Sequence, residues 1–220
     1  MKTTMQHLFF GCMLFPGGLV QAEDATELRL VVNVSNLAGF DRATITSAEQ
    51  IVTGIFRRVG IEVAWQHAVS IGNLDAGADA EGRPDVWVNL VPITATRMGA
   101  NTYAAGLAAM PGDGQPGSRI WVFRPILETV IDNTVFATPQ RHPTLLRNVL
   151  LAHVIAHEMG HLLLGSAKHS GPGIMTKEFD LRAILLACTG GLEFSASESE
   201  KIRATVQGMK ERGYALAGRP

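Results

Sequence analysis

The sequence has few cysteines and few aromatic residues, and neither sign of charge prevails over its 220 residues. Two cysteines cannot build a disulfide-stapled scaffold. With 19 Lys and Arg against 20 Asp and Glu, the net charge is −1; the chain lacks the basic excess that would neutralise a phosphate backbone, and we expect no nucleic-acid partner. Beyond the N-terminus, no apolar run reaches the roughly 18–20 residues that span a bilayer. The apolar fraction of 46% is enough for a folded core, and the length suits one domain.

The N-terminal segment has the layout of a secretory signal peptide. Lys2 supplies a positive charge, a short apolar stretch follows, and Ala22 is a small residue ahead of polar ones. We therefore predict a signal peptide over 1–22, cleavage after Ala22, and a secreted or periplasmic domain over 23–220. Cys188 would then be the single cysteine of the mature chain, and we expect it to be a small buried residue without a disulfide partner.

Hydrophobic periodicity predicts that most strands lie in the first part of the chain and that the longest helix follows them. Runs of β-branched or alternating apolar residues predict strands over Glu27–Val34, Ile61–Trp65, Asp85–Val91, Tyr103–Met110 and Arg119–Phe123. Helical spacing predicts helices over Ala48–Val59, Ile126–Ile131, Thr144–Leu164 and from Ser197 to about Gly208. Their expected N-caps are Thr46 or Ser47, then Thr144, then Ser197 with Glu200 three residues on. Residues 70–84 are expected to form a loop and residues 111–117 a hairpin turn, and this order indicates a single α+β domain.

The segment 157–175, HEMGHLLLGSAKHSGPGIM, carries the residues that suggest chemistry. His157 and His161 are four residues apart on a predicted helix, which places their Cβ atoms ~5–6 Å apart on one face. Two imidazole nitrogens at that spacing can bind one metal ion. Glu158 adjoins the first histidine but points elsewhere, so it can act as a base on the water that the metal activates.

A catalytic zinc needs three protein ligands and an open position, and the helix supplies only two. Gly165 can end the helix in a left-handed conformation and turn the chain back. His169 then becomes the candidate for the third ligand, with Met175 as an apolar floor beneath the site. Two downstream acids, Glu178 and Glu193, are the alternatives for the third ligand.

These residues resemble the motif of the metzincin clan of zinc metallopeptidases, which reads His-Glu-x-x-His-x-x-Gly-x-x-His and is followed by a methionine turn. The chain matches that motif in kind and order through His157, Glu158, His161, Gly165, His169 and Met175. Three residues, where the clan has two, stand on each side of the glycine. The widened spacing is similar to that of a group of small secreted bacterial proteins without an assigned substrate. That likeness extends to the upstream stretches YAAGLAAM and SRIWVFRP.

The resemblance implies a metzincin-like domain: a twisted mixed sheet, an active-site helix and a C-terminal helix. It also implies that an edge strand holds the substrate in an extended form. Residues 104–110 are the candidate for that strand, which would pair with a peptide by β-augmentation.

The sequence thus predicts a secreted zinc metallopeptidase, most simply an endopeptidase acting on peptides or proteins as a monomer. Zinc would be held by His157, His161 and His169, and Glu158 would be the general base. Two other functions remain open: a non-catalytic zinc-binding protein, closed by a fourth ligand such as Cys188, and a zinc amidase acting on cell-wall peptides. His153, one turn before the motif, is either a structural histidine or a group that supports the ligands.

Overall fold

The computed structural model describes residues 28–67, 85–99, 101, 103–109, 119–137 and 142–217, with side chains up to Glu211. The predicted signal peptide, the loop over 70–84 and the turn over 111–117 lie outside these residues. None of the helices in the described part combines the length and the apolar character needed to cross a membrane.

The described residues form one mixed sheet of five strands, as the sequence predicts. The strands are β1 Leu28–Asn36, β2 Ile61–His67, β3 Val86–Val91, β4 Gly106–Ala108 and β5 Arg119–Phe123. Their order across the sheet is β2-β1-β3-β5-β4. The first four strands in this order pair in parallel, whereas β4 runs antiparallel to β5. β4 is therefore an edge strand, within the stretch that was expected to provide one.

Five α-helices of the described chain cover this sheet. They are α1 Arg42–Arg58, α2 Arg124–Ala137, α3 Pro143–Leu164, α4 Leu181–Cys188 and α5 Ala196–Ala217. α3 contacts all four other helices and also strands β4 and β5. The histidine motif thus begins on the helix that the other four helices contact.

Helix α3 is buried around its whole circumference from Val149 to Leu163. The sequence predicted a stripe of buried positions at helical spacing, but packing on several sides buries the other faces as well, as is typical of a central helix. The predicted end is confirmed: Gly165 adopts a left-handed conformation with φ of 59°, and its N–H donates to carbonyls of the last turn. The helix therefore stops where the motif needs the chain to turn.

The predicted N-caps of α1 and α3 are wrong. α1 begins at Arg42, because the Asp41 carboxylate accepts a hydrogen bond of 2.8 Å from the Thr44 N–H, so the helix starts well before the expected cap at Thr46 or Ser47. α3 begins one residue earlier than predicted, with His142 as the cap instead of Thr144. In both cases a residue farther upstream already satisfies the first free N–H groups of the helix.

The C-terminal helix also begins earlier than predicted. Ser195 and Glu198 form the capping box, in which the Ser195 N–H donates to Glu198 Oε2 at 2.7 Å and the Glu198 N–H donates to Ser195 Oγ at 3.4 Å. The predicted pair of Ser197 and Glu200 lies two residues inside the resulting helix. The sequence offers both serines at the same spacing from a glutamate, so spacing alone does not choose between them.

Two predicted lengths differ from the structure, and one helix was not predicted. Within the strand expected over Tyr103–Met110, only Gly106–Ala108 is strand among the described residues, because the backbone turns at Asn101, whose carbonyl accepts from the Ala104 N–H. The helix predicted over Ile126–Ile131 is longer and runs over Arg124–Ala137. α4 was not predicted; it is a short apolar run capped by the Asp180 side chain.

Candidate metal centre

Three histidines of the motif come together at the C-terminal end of α3. His157, His161 and His169 each offer a ring nitrogen, and these nitrogens all lie within 4.8 Å of one another. The ring centroids are 4.6 Å apart for the helical pair, and 5.2 Å and 5.0 Å apart for His169 with His157 and His161. His157 and His161 are buried, whereas His169 is exposed on the chain that follows Gly165. The turn at the glycine thus brings an exposed ligand candidate to a buried pair.

The two helical histidines are oriented by backbone carbonyls. The Nδ1 of His157 lies 2.7 Å from the carbonyl oxygen of Ile174, and the Nδ1 of His161 lies 2.7 Å from that of Ser166. A carbonyl oxygen only accepts, so each Nδ1 carries the proton and each Nε2 keeps a free lone pair. Burial lowers the pKa of His157 to about 4 and also lowers the pKa of His161. Both rings are therefore neutral near pH 7, the form that binds a metal.

The spacing of the free nitrogens fits a metal ion. The Nε2 atoms of His157 and His161 are 3.0 Å apart, although neither has a proton to share with the other. Two lone pairs facing each other at this distance repel, and a cation between them would remove the repulsion. Zinc bound at ~2.0–2.1 Å in tetrahedral geometry holds its nitrogen ligands roughly 3.3 Å apart, close to the observed separation. Three imidazoles are also a donor set that suits zinc.

The alternative ligands lie outside this cluster. Glu178, Glu193 and Cys188 do not belong to the group of ligand atoms that the three histidines form. The Glu193 carboxylate instead pairs with Arg58 at 2.8 Å, and its carbonyl accepts from the Ile174 N–H at 2.9 Å. The structure therefore brings His169, and neither downstream acid, to the helical pair.

The side chain of Glu158 lies between helix α3, to which it belongs, and the edge strand β4. Its side chain is buried, and it is not a member of the three-histidine cluster. A Cβ placed on Gly106 of β4 would lie 2.6 Å from Glu158 Cγ, so the strand backbone approaches the carboxyl group closely. Burial raises the pKa of Glu158 to about 8. A carboxyl group with this pKa is mostly protonated at pH 7, and a cation bound nearby would favour the ionised form that can accept a proton.

Met175 packs against the part of α3 that carries the two histidines. It is buried at 1% exposure, and a Cβ on Gly160 would overlap its sulfur and lie 2.9 Å from Phe194 Cε1. Gly160 stands between the two helical histidines in the sequence, so its missing side chain lets Met175 and Phe194 approach that turn of α3. Met175 therefore packs against the turn of α3 that carries Gly160, and its position beneath the three histidine rings stays a prediction.

His153 lies in the buried core, one turn before the motif. It is buried, and its Nδ1 bonds to the carbonyl oxygen of Val149 in the preceding turn at 2.7 Å. It does not belong to the metal-binding cluster, and burial lowers its pKa. The structure thus favours the first of the two interpretations given above, a neutral histidine that packs in the core.

Comparisons with known proteins found matches among solved structures only. No family model and no curated protein sequence matches the chain. Among solved structures, archaemetzincin from Methanopyrus kandleri is similar, with 12% sequence identity and a TM-score of 0.46 over 84% of this chain and 99% of that chain. A likeness at this identity says nothing of activity, which has to be argued from the residues of this chain.

Sequence reasoning missed two features of the site. Gly106 was taken as part of a strand, and the small residues of YAAGLAAM were the only signal that another group approaches it closely. The Ile174 and Ser166 carbonyls, which orient the ligands, carry no sequence signal, because every residue has a carbonyl group.

Proposed function

We propose that the chain is a zinc-dependent metallopeptidase, with His157, His161 and His169 as the zinc ligands and Glu158 as the general base. The observation that carries the proposal is the convergence of three imidazole nitrogens beside a buried carboxyl group that lies against an edge strand. Metal ligands and a base serve the hydrolysis of a peptide bond by a metal-activated water, and an edge strand can hold the peptide.

The number of ligands favours catalysis over a structural role. Structural zinc sites are closed by four protein ligands, whereas catalytic sites keep one position open. Among the described residues, no fourth histidine, cysteine or carboxylate joins the three histidines, and Cys188 lies outside the cluster. Glu158, next to His157 in the chain, is a buried carboxyl group with a raised pKa, which is more typical of functional sites than of structural ones.

The chain's own residues divide the chemistry between them. When bound, zinc supplies the Lewis acidity that polarises a carbonyl group and makes a water molecule more acidic. Glu158 accepts the proton of the attacking water and then passes it to the nitrogen of the leaving amine. The carbonyls of Ile174 and Ser166 keep the His157 and His161 rings in place during both steps.

The edge strand is the proposed binding site for the substrate backbone. β4 is the last strand in the sheet order and runs antiparallel to β5, and it also contacts α3. An extended peptide that adds to an edge strand forms regular backbone hydrogen bonds, which places its carbonyl groups in a repeating array. Since Gly106 of β4 adjoins Glu158, a peptide held on this strand would lie next to the general base.

Replacement of Glu158 by glutamine tests the proposed function. Glu158→Gln keeps the size of the side chain but removes its basicity, so we expect peptide turnover to fall at least about 10²-fold while zinc content stays unchanged. Both proteins, loaded with zinc, are incubated with a mixed peptide library, and new peptide termini are identified by mass spectrometry.

The outcomes separate the candidate functions. New termini from the wild-type protein only, at equal zinc content, would support a peptidase and define its side-chain preference. Zinc bound in both proteins with no cleavage by either would overturn the general peptidase. A parallel assay on cell-wall peptides would then distinguish a zinc amidase from a zinc-binding protein without catalytic activity.

We also propose that residues 1–22 direct export and that the protein acts as a monomer. The support for export is the charged start, the apolar stretch and the small residue at position 22. Mass spectrometry of protein recovered outside the cytoplasm should find Glu23 as the first residue, and light scattering should give the mass of one chain. Export with Met1 retained, or a stable dimer, would contradict the respective part.

A further inference from the structure

The third ligand candidate is held in a different way from the other two. His157 and His161 lie on a buried helix, and each ring bonds to a carbonyl oxygen. His169 is exposed, lies in the irregular stretch over 166–180, and forms no ring hydrogen bond with any of the described residues. Its position relative to the helical pair therefore depends on how the neighbouring backbone is fixed.

Ser170, the next residue, is fixed at two points. Its N–H donates to the carbonyl oxygen of Met175 at 3.0 Å, which closes the loop around the methionine. Its hydroxyl donates to Glu198 Oε1 at 2.6 Å, which joins the loop to helix α5. A short hydrogen bond from a hydroxyl to a carboxylate is stronger than one between neutral groups.

The two oxygens of the Glu198 carboxylate accept hydrogen bonds from two different segments. Oε1 accepts from Ser170, and Oε2 accepts from the backbone N–H of Ser195 in the capping box at the start of α5. The side chain is largely buried. Burial by itself raises its pKa, but the hydrogen bonds from Ser170 and Ser195 outweigh burial and hold the pKa below its usual range. Glu198 is therefore ionised at neutral pH. Its buried charge is stabilised by the hydrogen bonds from Ser170 and Ser195.

Helix α5 is itself anchored to the helix that carries the other two ligands. Ile202 and Val206 of α5 are fully buried in the core, and α5 packs against α3. The first turn of α5 is thus fixed relative to α3. A bond from this turn to the loop of His169 fixes the loop relative to His157 and His161.

We propose that Glu198 is a positioning residue of the metal centre, which holds His169 within reach of the ion through the hydroxyl of Ser170. The inference rests on the proposed function, since it requires that the three histidines bind zinc. Partners of this kind, one step removed from the metal, typically change metal affinity by about 10- to 100-fold when they are lost.

Ser170 and Ser195 both donate a hydrogen bond to the Glu198 carboxylate, and they provide a matched pair of variants. Ser170→Ala removes the bond between the loop and Glu198 but leaves the capping box intact. Ser195→Ala removes the hydroxyl of the capping box but leaves both its backbone N–H on Oε2 and the Ser170 bond on Oε1. Each variant deletes one hydroxyl group, so a general loss of stability should affect both.

The experiment measures zinc affinity by competition with a chelator, using the full chain, and measures urea unfolding of each metal-free protein. We expect Ser170→Ala to weaken zinc binding by about 10- to 100-fold, and Ser195→Ala to leave it within about twofold of wild type. Ser170→Thr keeps the hydroxyl group at an exposed position and should restore the affinity.

Each contrary outcome has a distinct meaning. If Ser170→Ala binds zinc with wild-type affinity, the positioning role is overturned. It is also overturned if Ser170→Ala and Ser195→Ala lose affinity equally, because that would indicate that both changes simply destabilise the first turn of α5. A wild-type chain that binds no zinc overturns the proposed function and this inference together. Tight zinc binding that is insensitive to Ser170 overturns the inference alone.

Discussion

The absence of a side chain at Gly106 leaves room for the carboxyl group of Glu158. A Cβ at this position would lie 2.6 Å from Cγ and 2.8 Å from Cδ of Glu158, and interiors this densely packed do not accept such an overlap without movement. We expect Gly106→Ala to displace the carboxyl group and to lower turnover about 10²-fold or more at unchanged zinc content. Steady-state kinetics with zinc analysis measures both quantities.

A glycine elsewhere serves as the control for this substitution. Gly54 lies on α1, where an added Cβ would meet only the end of the Arg58 side chain at 4.0 Å, so Gly54→Ala should keep full activity. If Gly106→Ala turned over substrate at the wild-type rate, the close approach of β4 to Glu158 would have no bearing on catalysis.

Site residues whose relative positions depend only on their spacing along one helix could be found from the sequence. His157, Glu158 and His161 depend only on the geometry of one helix, in which residues four apart share a face. Gly106 depends on a residue of another element, and the bond between Ser170 and Glu198 spans 28 residues. No local pattern encodes which partner a glycine or a serine will meet after folding.

Helices α2 and α3 are joined by a two-point ion pair. Arg147 Nε lies 3.0 Å from Glu128 Oε1, and its Nη2 lies 2.9 Å from Oε2. Lysine cannot reproduce this planar fork, so Arg147→Lys should lower the free energy of unfolding by about 1 kcal/mol. A double-mutant cycle with Glu128→Gln in urea unfolding gives the coupling energy. The more exposed pair of Arg58 and Glu193 should show a coupling near zero in the same experiment.

The same pair should give the stability a defined dependence on pH. The hydrogen bond from Arg147 holds the pKa of Glu128 below its usual range, despite the opposing effect of burial. An acid whose pKa is lower in the folded state stabilises the fold above its unfolded pKa, and this contribution is lost as the pH falls through the folded pKa. The stability difference between wild type and Glu128→Gln should be constant from pH 7 to about pH 5 and shrink below that. A difference that grows on acidification would contradict the assignment.

Elements with strong periodicity and clear ends were predicted well, and others were not. The helix expected over Thr144–Leu164 is found over Pro143–Leu164, because its apolar positions and its glycine stop are local signals. The start of α1 was predicted too late, because the cap was expected at Thr46 or Ser47 and the helix is capped by Asp41. α4 was missed because an eight-residue apolar run is too short to show a period.

At the scale of the whole molecule, zinc should stabilise the fold as well as complete the site. A ligand that binds only the folded state adds RT ln(1 + [L]/Kd), about 4 kcal/mol at a thousand times Kd, or roughly 8–16 °C in Tm for a chain of this size. We expect a rise of this order when zinc is added to chelator-treated protein, measured by calorimetry. Glu158→Gln should keep the shift, because Glu158 is not a member of the metal-binding cluster.

The third ligand can be identified by the same measurement. His169→Ala should lose most of the zinc-dependent shift, whereas Glu193→Gln should retain it, because Glu193 pairs with Arg58 and lies outside the cluster. A shift that survives His169→Ala and disappears in Glu193→Gln would mean that the downstream acid is the ligand.

The sequence by itself determined the parts of this protein that depend on near neighbours in the chain. These are the strands, the long helix with its stop at Gly165, and the spacing of His157 and His161, because periodicity and helical geometry act over a few residues. Only the tertiary structure decided that His169 meets the helical pair, that Gly106 lies against Glu158, and that Ser170 bonds to Glu198. The contacts of Gly106 and Ser170 join segments far apart in the sequence, and the geometry of all three follows from the packing of the sheet and helices around α3.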